Sequence, residues 1–275
     1  MAGAKRKCKA EVRRVIMRRL AAIGVFAAAA FLTTAPAQAA VVQSMDIKVK
    51  VAKGDKNKKT GGATLRTTFK ISDETGAKPP PLTHTTIRFP KGGKMNSKLF
   101  KKCKLANLKT KGPTKGCPKQ SLIGKGTGHG DARPFIADIR GEVKLFNGES
   151  KGSNPTLLIW ALPEIGPIIY SLAEFRDDPA GPYGVRMINR TPRNIIPLNP
   201  QPPMIYLSLR LGAKITKTKR VRVGRRGSRR TVKRRVTYNY LENPSKCSGS
   251  WKWRLDVEYE NGEKLQPTDT VRCRK

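Results

Sequence analysis

Residues 250–263, SWKWRLDVEYENGE, carry the clearest structural signal in the sequence. Large apolar residues occupy every second position and charged residues lie between them, which predicts a β-strand with one buried and one solvated face. Asn261-Gly262 follows as a hairpin signal, because both central positions of a type I′ turn require positive φ. The stretch therefore predicts a C-terminal hairpin whose core-facing residues are Trp251, Trp253, Leu255, Val257 and Tyr259.

The chain from residue 41 onward repeats this pattern in short apolar-alternating runs that are broken by Gly, Pro and Asn. No window places apolar residues at helical spacing over three turns. Regularly spaced short strands indicate an all-β sandwich or barrel. No linker or repeat divides residues 40–275, so we expect a single β-sandwich-like domain of ten or more short strands. The predicted strands cover residues 63–71, 82–89, 142–146, 156–162, 168–175, 183–188, 205–211 and 231–240.

The N-terminal residues have the features of an export signal. Residues 1–19 hold eight bases and one acid, and residues 20–32, LAAIGVFAAAAFL, are uncharged. This apolar run is shorter than the about 20 residues that a membrane-spanning helix needs, but it fits a secretory signal. Ala37-Gln38-Ala39 supplies a small-x-small cleavage pattern, so residues 1–39 are predicted to be a cleaved signal peptide, with a retained anchor as the alternative.

The route of export stays open between two pathways. Residues 13–18, RRVIMR, have the form of a twin-arginine signal, whereas the rest of the segment also suits the general secretory (Sec) route. Either route predicts a secreted or cell-envelope-associated protein.

The charge of the chain favours an anionic partner. The whole chain has 57 Lys and Arg and 19 acids; without the eight bases and one acid of residues 1–39, 49 and 18 remain, a net charge of +31. Such a field favours solubility and attraction to polyanions. Export argues against chromosomal DNA, so the expected partner is an anionic envelope polymer, an acidic polysaccharide or anionic lipid headgroups.

The densest charge lies in residues 217–236, KTKRVRVGRRGSRRTVKRRV, which hold eleven bases and no acid. Valines at alternating positions on either side of Gly224 and Gly227 predict a basic hairpin at about 214–240 that projects into solvent. Arginine can bind phosphate or carboxylate oxygens in bidentate fashion, whereas no interleaved aromatic residue supports stacking on nucleobases. The alternative is a solvated hairpin that only keeps the protein soluble. The predicted polyanion-binding residues are Lys217, Lys219, Arg220, Arg222, Arg225, Arg226, Arg229, Arg230, Lys233, Arg234 and Arg235.

Four cysteines remain outside the predicted signal peptide, and in an exported protein they predict two disulfides. Three connectivities are possible, of which we expect the sequence-local one, Cys103–Cys117 and Cys247–Cys273. Each loop closure contributes about 3 kcal/mol in the chain-entropy model. A zinc site is disfavoured because neither pair has C-x-x-C spacing and the chain has only two histidines, so no metal is expected.

Patterns that could support catalysis lack the context that the chemistry needs. Residues 148–152, GESKG, match the nucleophile elbow, but no histidine follows His129. Residues 124–130, GKGTGHG, fit no phosphate-binding motif; their alternating glycines indicate close backbone packing or a sheet edge, with a ligand loop as the alternative. His129 and Asp131 could form an acid–base pair, but nothing supplies a nucleophile. A glycosidase needs two carboxyls across a cleft, for which the sequence offers only the cluster Glu164, Glu174, Asp177 and Asp178.

Four stretches together carry a family resemblance: residues 78–103, 112–128, 181–189 and 243–273, which read KPPPLTHTTIRFPKGGKMNSKLFKKC, GPTKGCPKQSLIGKGTG, GPYGVRMIN and NPSKCSGSWKWRLDVEYENGEKLQPTDTVRC. They resemble uncharacterised exported β-rich proteins of high-GC Gram-positive bacteria. The resemblance implies a signal peptide, one disulfide-stapled β domain and export, and it implies no activity. This chain departs from the pattern in its longer, Arg-rich segment before the last cysteine hairpin.

These observations predict an exported protein without catalytic residues or a cofactor. It would associate electrostatically with the cell envelope through residues 217–235. Two alternatives belong to other classes. One is a secreted hydrolase that acts on wall glycan through carboxylates that the sequence does not pair. The other is a surface-assembly protein, which would expose unpaired edge strands.

Overall fold

Sixteen β-strands make up most of the computed structural model, which describes residues 40–51, 61–179, 181–192, 202–223, 230–244 and 249–273. The predicted all-β class is confirmed. Contacts group Ala39–Lys275 into one compact unit, and the predicted signal peptide lies outside the described residues. The strands are β1 (Val41–Val51), β2 (Gly62–Asp73), β3 (Leu82–Pro90), β4 (Lys94–Met95), β5 (Leu122–Ala132), β6 (Ile136–Asn147), β7 (Thr156–Pro163), β8 (Ile169–Asp177), β9 (Tyr183–Arg190), β10 (Met204–Leu211), β11 (Lys214–Val223), β12 (Arg230–Asn239), β13 (Leu241–Glu242), β14 (Ser250–Tyr259), β15 (Lys264–Leu265) and β16 (Thr268–Arg272).

Fourteen of these strands form one antiparallel sheet, which we call the main sheet. Its order is β15-β14-β3-β9-β8-β7-β6-β5-β10-β2-β13-β4, with β1 paired to β2 and β16 paired to β14. The two sides of this order meet through side chains: the backbone N–H of Ile47 in β1 donates to the Asp269 carboxylate in β16 at 2.5 Å, and the Tyr259 hydroxyl donates to Gln43. The main sheet therefore curls until β1 faces β16. The predicted sandwich is not confirmed, because fourteen of the described strands form one continuous sheet rather than two sheets that pack face to face.

One apolar cluster lies inside this curl and takes side chains from strands all around it. The ring of Phe89 meets Trp253 edge-on with 5.1 Å between ring centres and approaches Phe175 at 6.2 Å. Full burial of one such side chain contributes about 1.5–3 kcal/mol. The alternation in β14 is confirmed, since its buried side chains are Trp251, Trp253, Leu255, Val257 and Tyr259.

A turn follows β14 at the predicted place, but its central residues are Glu260 and Asn261 rather than Asn261 and Gly262. Gly262 has φ +84°, and its N–H donates to the Tyr259 carbonyl at 3.0 Å. The chain then returns along β14 as β15 and β16. A local signal, glycine at a position that requires positive φ, thus marks the C-terminal turn.

The one α-helix of the described residues, α1 (Leu105–Lys115), has no counterpart in the sequence prediction. Only Leu108 is buried in it, against a small cluster that includes Trp160, and Gly112 at φ 71° interrupts it before Pro113. One anchoring side chain leaves no apolar stripe to detect.

A disulfide closes this segment, since Cys103 and Cys117 on either side of α1 are bonded, with 4.9 Å between their Cα atoms. The first predicted disulfide is therefore confirmed. Cys273 is buried, whereas Cys247 lies outside the described residues, so the second pairing stays a prediction.

Candidate polyanion-binding hairpin

Strands β11 and β12 form a two-stranded antiparallel sheet that pairs with no other described strand. We call this pair the basic hairpin. Its register runs without a break from Lys214 opposite Asn239 to Val223 opposite Arg230. The chain enters the basic hairpin from β10 and leaves it into β13, and both of those strands belong to the main sheet. The densest charge of the sequence is therefore carried by a pair of strands outside the main sheet.

Tyr240 anchors the base of the basic hairpin. It is fully buried, its N–H donates to the Ala213 carbonyl at 2.9 Å, and its ring meets Phe100 edge-on at 5.2 Å. Its hydroxyl donates to the Asn147 side-chain oxygen at 3.3 Å, and burial raises the pKa of that hydroxyl, which therefore stays protonated. The position of the two strands is thus fixed where they leave the main sheet.

The register divides the basic hairpin into two faces, because residues that oppose each other in an antiparallel pair point to the same side. One face mixes apolar and basic side chains. On it Ile215 is buried and the ammonium of Lys219 lies 5.3 Å from the ring centre of Tyr238, a cation–π contact. The other face is polar throughout and carries Lys214, Thr216, Thr218, Arg220, Thr231, Lys233, Arg235, Thr237 and Asn239.

The predicted binding residues fall into three groups. Arg222 lies in β11, but its side chain is not among those described, and Arg225, Arg226 and Arg229 lie outside the described residues. The remaining seven have exposed side chains, and none of them forms an ion pair with a described residue. These seven residues are Lys217, Lys219, Arg220, Arg230, Lys233, Arg234 and Arg235.

Repulsion between these cations is built into the register. Lys219 lies opposite Arg234, and Arg220 lies opposite Lys233. Like charges in directly opposed positions destabilise a strand pair by a few tenths to about 1 kcal/mol. No acid occurs in the sequence between Asp178 and Glu242 that could relieve this repulsion locally. An anionic ligand laid across the basic hairpin would neutralise it.

Two of the four carboxylates considered as catalytic candidates, Glu174 and Asp178, form ion pairs in the described structure. Hydrogen bonds from Arg176 and Asn154 lower the pKa of Glu174, whereas a catalytic acid needs a raised pKa. Asp178 is buried and paired with Arg88. This cluster supports the main sheet rather than a pair of catalytic carboxylates.

His129 pairs with Asp138, so its sequence pairing with Asp131 is wrong. Its Nδ1 atom lies 2.9 Å from the Asp138 carboxylate across the β5–β6 ladder, while Asp131 bonds Arg133. The pairing of β5 with β6 places Asp138, rather than Asp131, next to His129.

Neither glycine motif has the strand-to-helix context of the catalytic or phosphate-binding motif that it resembles. The segment after Ser150 leads into β7 rather than into the helix that a nucleophile elbow requires. A Cβ atom added at Gly126 would lie 1.9 Å from the Ser208 carbonyl oxygen of β10. The close backbone packing predicted for residues 124–130 is therefore confirmed.

One further group of basic residues forms only in the folded structure. Arg66, Lys125 and Arg210 lie in three different strands, separated in sequence by more than fifty residues, and the pairing of β2, β10 and β5 brings them side by side. Each is a single base in an ordinary strand, so only the register could have revealed the group.

The described residues contain no group of three or more His, Cys, Asp or Glu side chains arranged to hold a metal ion. In the same part of the chain, no helix combines the length and apolar character needed to cross a membrane. Comparison of the sequence with protein-family models, and of the chain with curated proteins and solved structures, yields no match.

Proposed function

We propose that the protein is exported, acts without catalysis, and binds an anionic polymer of the cell envelope through the cations of the basic hairpin. The observation that supports this proposal is the exposure of seven basic side chains that form no ion pair with described residues. Exposed bases that fold without acidic partners keep their full attraction for a polyanion.

The geometry of the basic hairpin suits a polymer that carries one charge on each repeat. Side chains on one face of a strand recur about every 7 Å, and the neighbouring strand lies about 5 Å away. The cations therefore form a two-dimensional grid rather than a pocket for one small anion. Four of the seven are arginines, whose paired N–H groups match phosphate and carboxylate oxygens. Phosphodiester wall polymers and acidic polysaccharides both fit this grid, and anionic lipid headgroups are a further partner of the same chemistry.

The proposal includes the scaffold and the compartment. The scaffold is one sandwich-like β domain held by Cys103–Cys117 and by the predicted second bond, Cys247–Cys273. A signal peptide at residues 1–39 would deliver the protein to the envelope, and retention there would be electrostatic.

The test compares two variants in which the same amount of charge is removed. The hairpin variant replaces Arg220, Lys233, Arg234 and Arg235 by Gln. The control variant replaces four exposed lysines that lie outside the basic hairpin, Lys98, Lys101, Lys111 and Lys119, by Gln. Binding to purified cell walls is measured as salt rises from about 50 to about 200 mM, because binding to phosphates releases counterions and the affinity then falls steeply with salt.

We expect the affinity of the hairpin variant to fall at least tenfold at about 50 mM salt. Its salt dependence should also be shallower, by up to about 0.9 in slope for each phosphate that the variant no longer neutralises. The control variant should keep the affinity within about twofold. Walls stripped of phosphodiester polymer, and vesicles with and without anionic lipid, identify the partner. Equal decreases in both variants would show that net charge alone drives binding, and would overturn the assignment to the basic hairpin.

A further inference from the structure

Five basic residues line up in register across five neighbouring strands of the main sheet. Lys48 of β1 faces Arg66 of β2, which faces Arg210 of β10; Arg210 faces Lys125 of β5, which faces Lys144 of β6. Residues that face each other in antiparallel pairs lie on the same side of a sheet. We call this alignment the cation row. It lies on the side opposite the apolar core, because its neighbours Leu65, Leu209 and Leu211 pack into the core.

The two ends of the cation row are neutralised within their own strands. The Lys48 ammonium lies 3.1 Å from the Asp46 carboxylate, and the Lys144 ammonium lies 2.8 Å from the Glu142 carboxylate. Lys144 also lies 4.8 Å from the ring centre of Trp160. Each terminal cation therefore has a partner of its own.

The three central cations lack such partners. Arg66, Arg210 and Lys125 are exposed, and none forms an ion pair with a described residue. Neighbouring strands lie about 4.8 Å apart, so the three Cα atoms fall within about 10 Å. Like charges opposite each other destabilise a strand pair, and the main sheet relieves this repulsion at both ends of the cation row but not at its centre.

Hydroxyl groups lie directly beside the three central cations. Each central cation has a hydroxyl residue two positions away in its own strand. These residues also face one another: Thr68 faces Ser208, and Ser208 faces Thr127. We call these three residues the hydroxyl row; their hydroxyls make no side-chain hydrogen bond to a described residue. The hydroxyl row and four residues of the cation row, all but Lys144, line one surface depression of about 570 Å³. Three cations and three free hydroxyl donors thus converge on one concave patch.

We propose that this depression binds a single tetrahedral oxyanion, the phosphate or sulfate ester group of a polymer. Such a group accepts hydrogen bonds in several directions, which matches six donors from three strands better than a planar carboxylate does. Asp46 and Glu142 close the depression at both ends of the hydroxyl row. These two acids repel an anionic polymer that runs across the strands. On either side of the bound group, the polymer therefore runs parallel to the strands.

The direction along β10 leads to the basic hairpin. Arg210 precedes Lys214, the first residue of β11, by four positions, so their Cα atoms lie within about 14 Å. A polymer held at the depression can therefore reach the basic hairpin with its next charges, and binding at the two places would be mutually reinforcing. This last step rests on the proposed function; oxyanion binding at the depression does not.

The test separates a built site from general attraction by removing hydroxyls without changing charge. The site variant is Thr68→Val with Thr127→Val. The matched control is Thr268→Val with Thr270→Val, which removes two exposed hydroxyls from β16, outside both the depression and the basic hairpin. Valine suits strands, and an unchanged circular dichroism spectrum and melting temperature confirm the fold of both variants. Binding of inorganic phosphate and of inorganic sulfate is measured at low salt by calorimetry.

We expect the affinity of the site variant for the bound anion to fall about tenfold, since hydrogen bonds to charged groups are among the stronger ones. The control should stay within about twofold of the unaltered protein. Preference for phosphate over sulfate would indicate a phosphodiester polymer, and the reverse would indicate a sulfated polysaccharide. No measurable anion binding, or equal affinities in the two variants, would overturn the proposal of a built site.

The hairpin variant described above distinguishes this inference from the proposed function. If cell walls require the basic hairpin, and phosphate binding depends on Thr68 and Thr127 but is normal in the hairpin variant, both proposals hold. If phosphate binding depends on Thr68 and Thr127 while walls bind the hairpin variant normally, the depression stands and the proposed function fails. If walls require the basic hairpin and phosphate binding is independent of the two threonines, only the depression is overturned.

Discussion

The main sheet and the basic hairpin use the same alternating strand pattern but treat charge in opposite ways. In the main sheet, Arg88 has 17 % of its side chain exposed and holds both Asp178 and Asp256. In the basic hairpin, Arg220 is exposed and lies opposite another cation, Lys233. Charge supports the fold around Arg88, whereas in the basic hairpin, as at the centre of the cation row, it opposes the fold. The difference is the reason for proposing that the bases of the hairpin serve binding rather than stability.

The largest expected effect follows from removing one arginine in each region. Arg88→Leu leaves Asp178, whose side chain is 4 % exposed, without its cation, and breaking a buried ion pair in this way costs about 3–5 kcal/mol. Arg220→Leu removes an exposed cation without an ion-pair partner among the described residues, and surface substitutions of this kind change stability by about 0.5 kcal/mol or less. Urea unfolding of the two variants measures both values.

The comparison fails if Arg88→Leu and Arg220→Leu lower the free energy of unfolding by the same amount. A large destabilisation by Arg220→Leu would mean that the basic hairpin contributes its charge to folding after all. Arg88→Met serves as a second variant, because methionine fills the space of the arginine stem and separates the effect of the ion pair from the effect of packing.

An intermediate effect depends on pH and is confined to the main sheet. Burial raises the pKa of Asp131, but hydrogen bonds from the side chain and backbone of Arg133 outweigh burial and hold that pKa below its usual range. A depressed folded-state pKa adds stability that is fully present above the unfolded value, near about 3.9, and that is lost as pH falls through the folded-state pKa. Asp131→Asn should therefore cost about 1–2 kcal/mol at pH 7, and the difference from the unaltered protein should shrink below about pH 4.

The basic hairpin supplies the contrast, since residues 214–240 contain no carboxyl group. As the pH falls, the affinity for a phosphodiester polymer should therefore stay constant, while the stability difference between Asp131→Asn and the unaltered protein shrinks. Unfolding and wall binding measured between pH 3 and 7 on the same samples test this. Glu164→Gln, at an exposed carboxyl, is the control and should leave stability nearly unchanged. A wall affinity that follows the titration of Asp131 would tie the two regions together.

The sequence predicted what depends on neighbours along the chain. The buried face of β14 follows from its alternation, and the turn at Gly262 follows from a glycine where φ is positive. Close packing around Gly126 likewise follows from glycines at every second position. Helix α1 could not be predicted in this way, because one buried side chain, Leu108, and the bond between Cys103 and Cys117 hold it.

Contacts that depend on the order of the strands in the sheet could not be predicted from the sequence. His129 finds Asp138 rather than Asp131 because β5 pairs with β6. The cation row exists only because β10 inserts between β2 and β5, which places Arg210 between Arg66 and Lys125. The charge of the basic hairpin was visible because its eleven bases lie within one short stretch of sequence. The depression on the main sheet was not visible, because it collects its three central cations from three distant segments.

The smallest expected effect is the sharpest test of the comparison. Arg234→Glu places an acid opposite Lys219, which turns one repelling pair into an attracting one. Opposite charges in facing positions contribute about 0.2–1 kcal/mol. A two-stranded hairpin is marginally stable on its own, so the gain should appear as about a twofold slowing of amide exchange in β11 and β12, with no change in the core strands. Amide exchange followed by nuclear magnetic resonance resolves the two regions.

The same substitution should weaken wall binding at low salt, because it removes one cation and adds one anion to the binding grid. Stability and affinity then move in opposite directions, as expected of a surface whose charge serves binding at the expense of folding. Arg234→Gln, which removes the repulsion without adding an acid, should fall between the two proteins in both measurements. Slower exchange with unaltered wall binding would leave the basic hairpin as a solvated surface and move the search for the polyanion-binding surface to Arg66, Lys125 and Arg210.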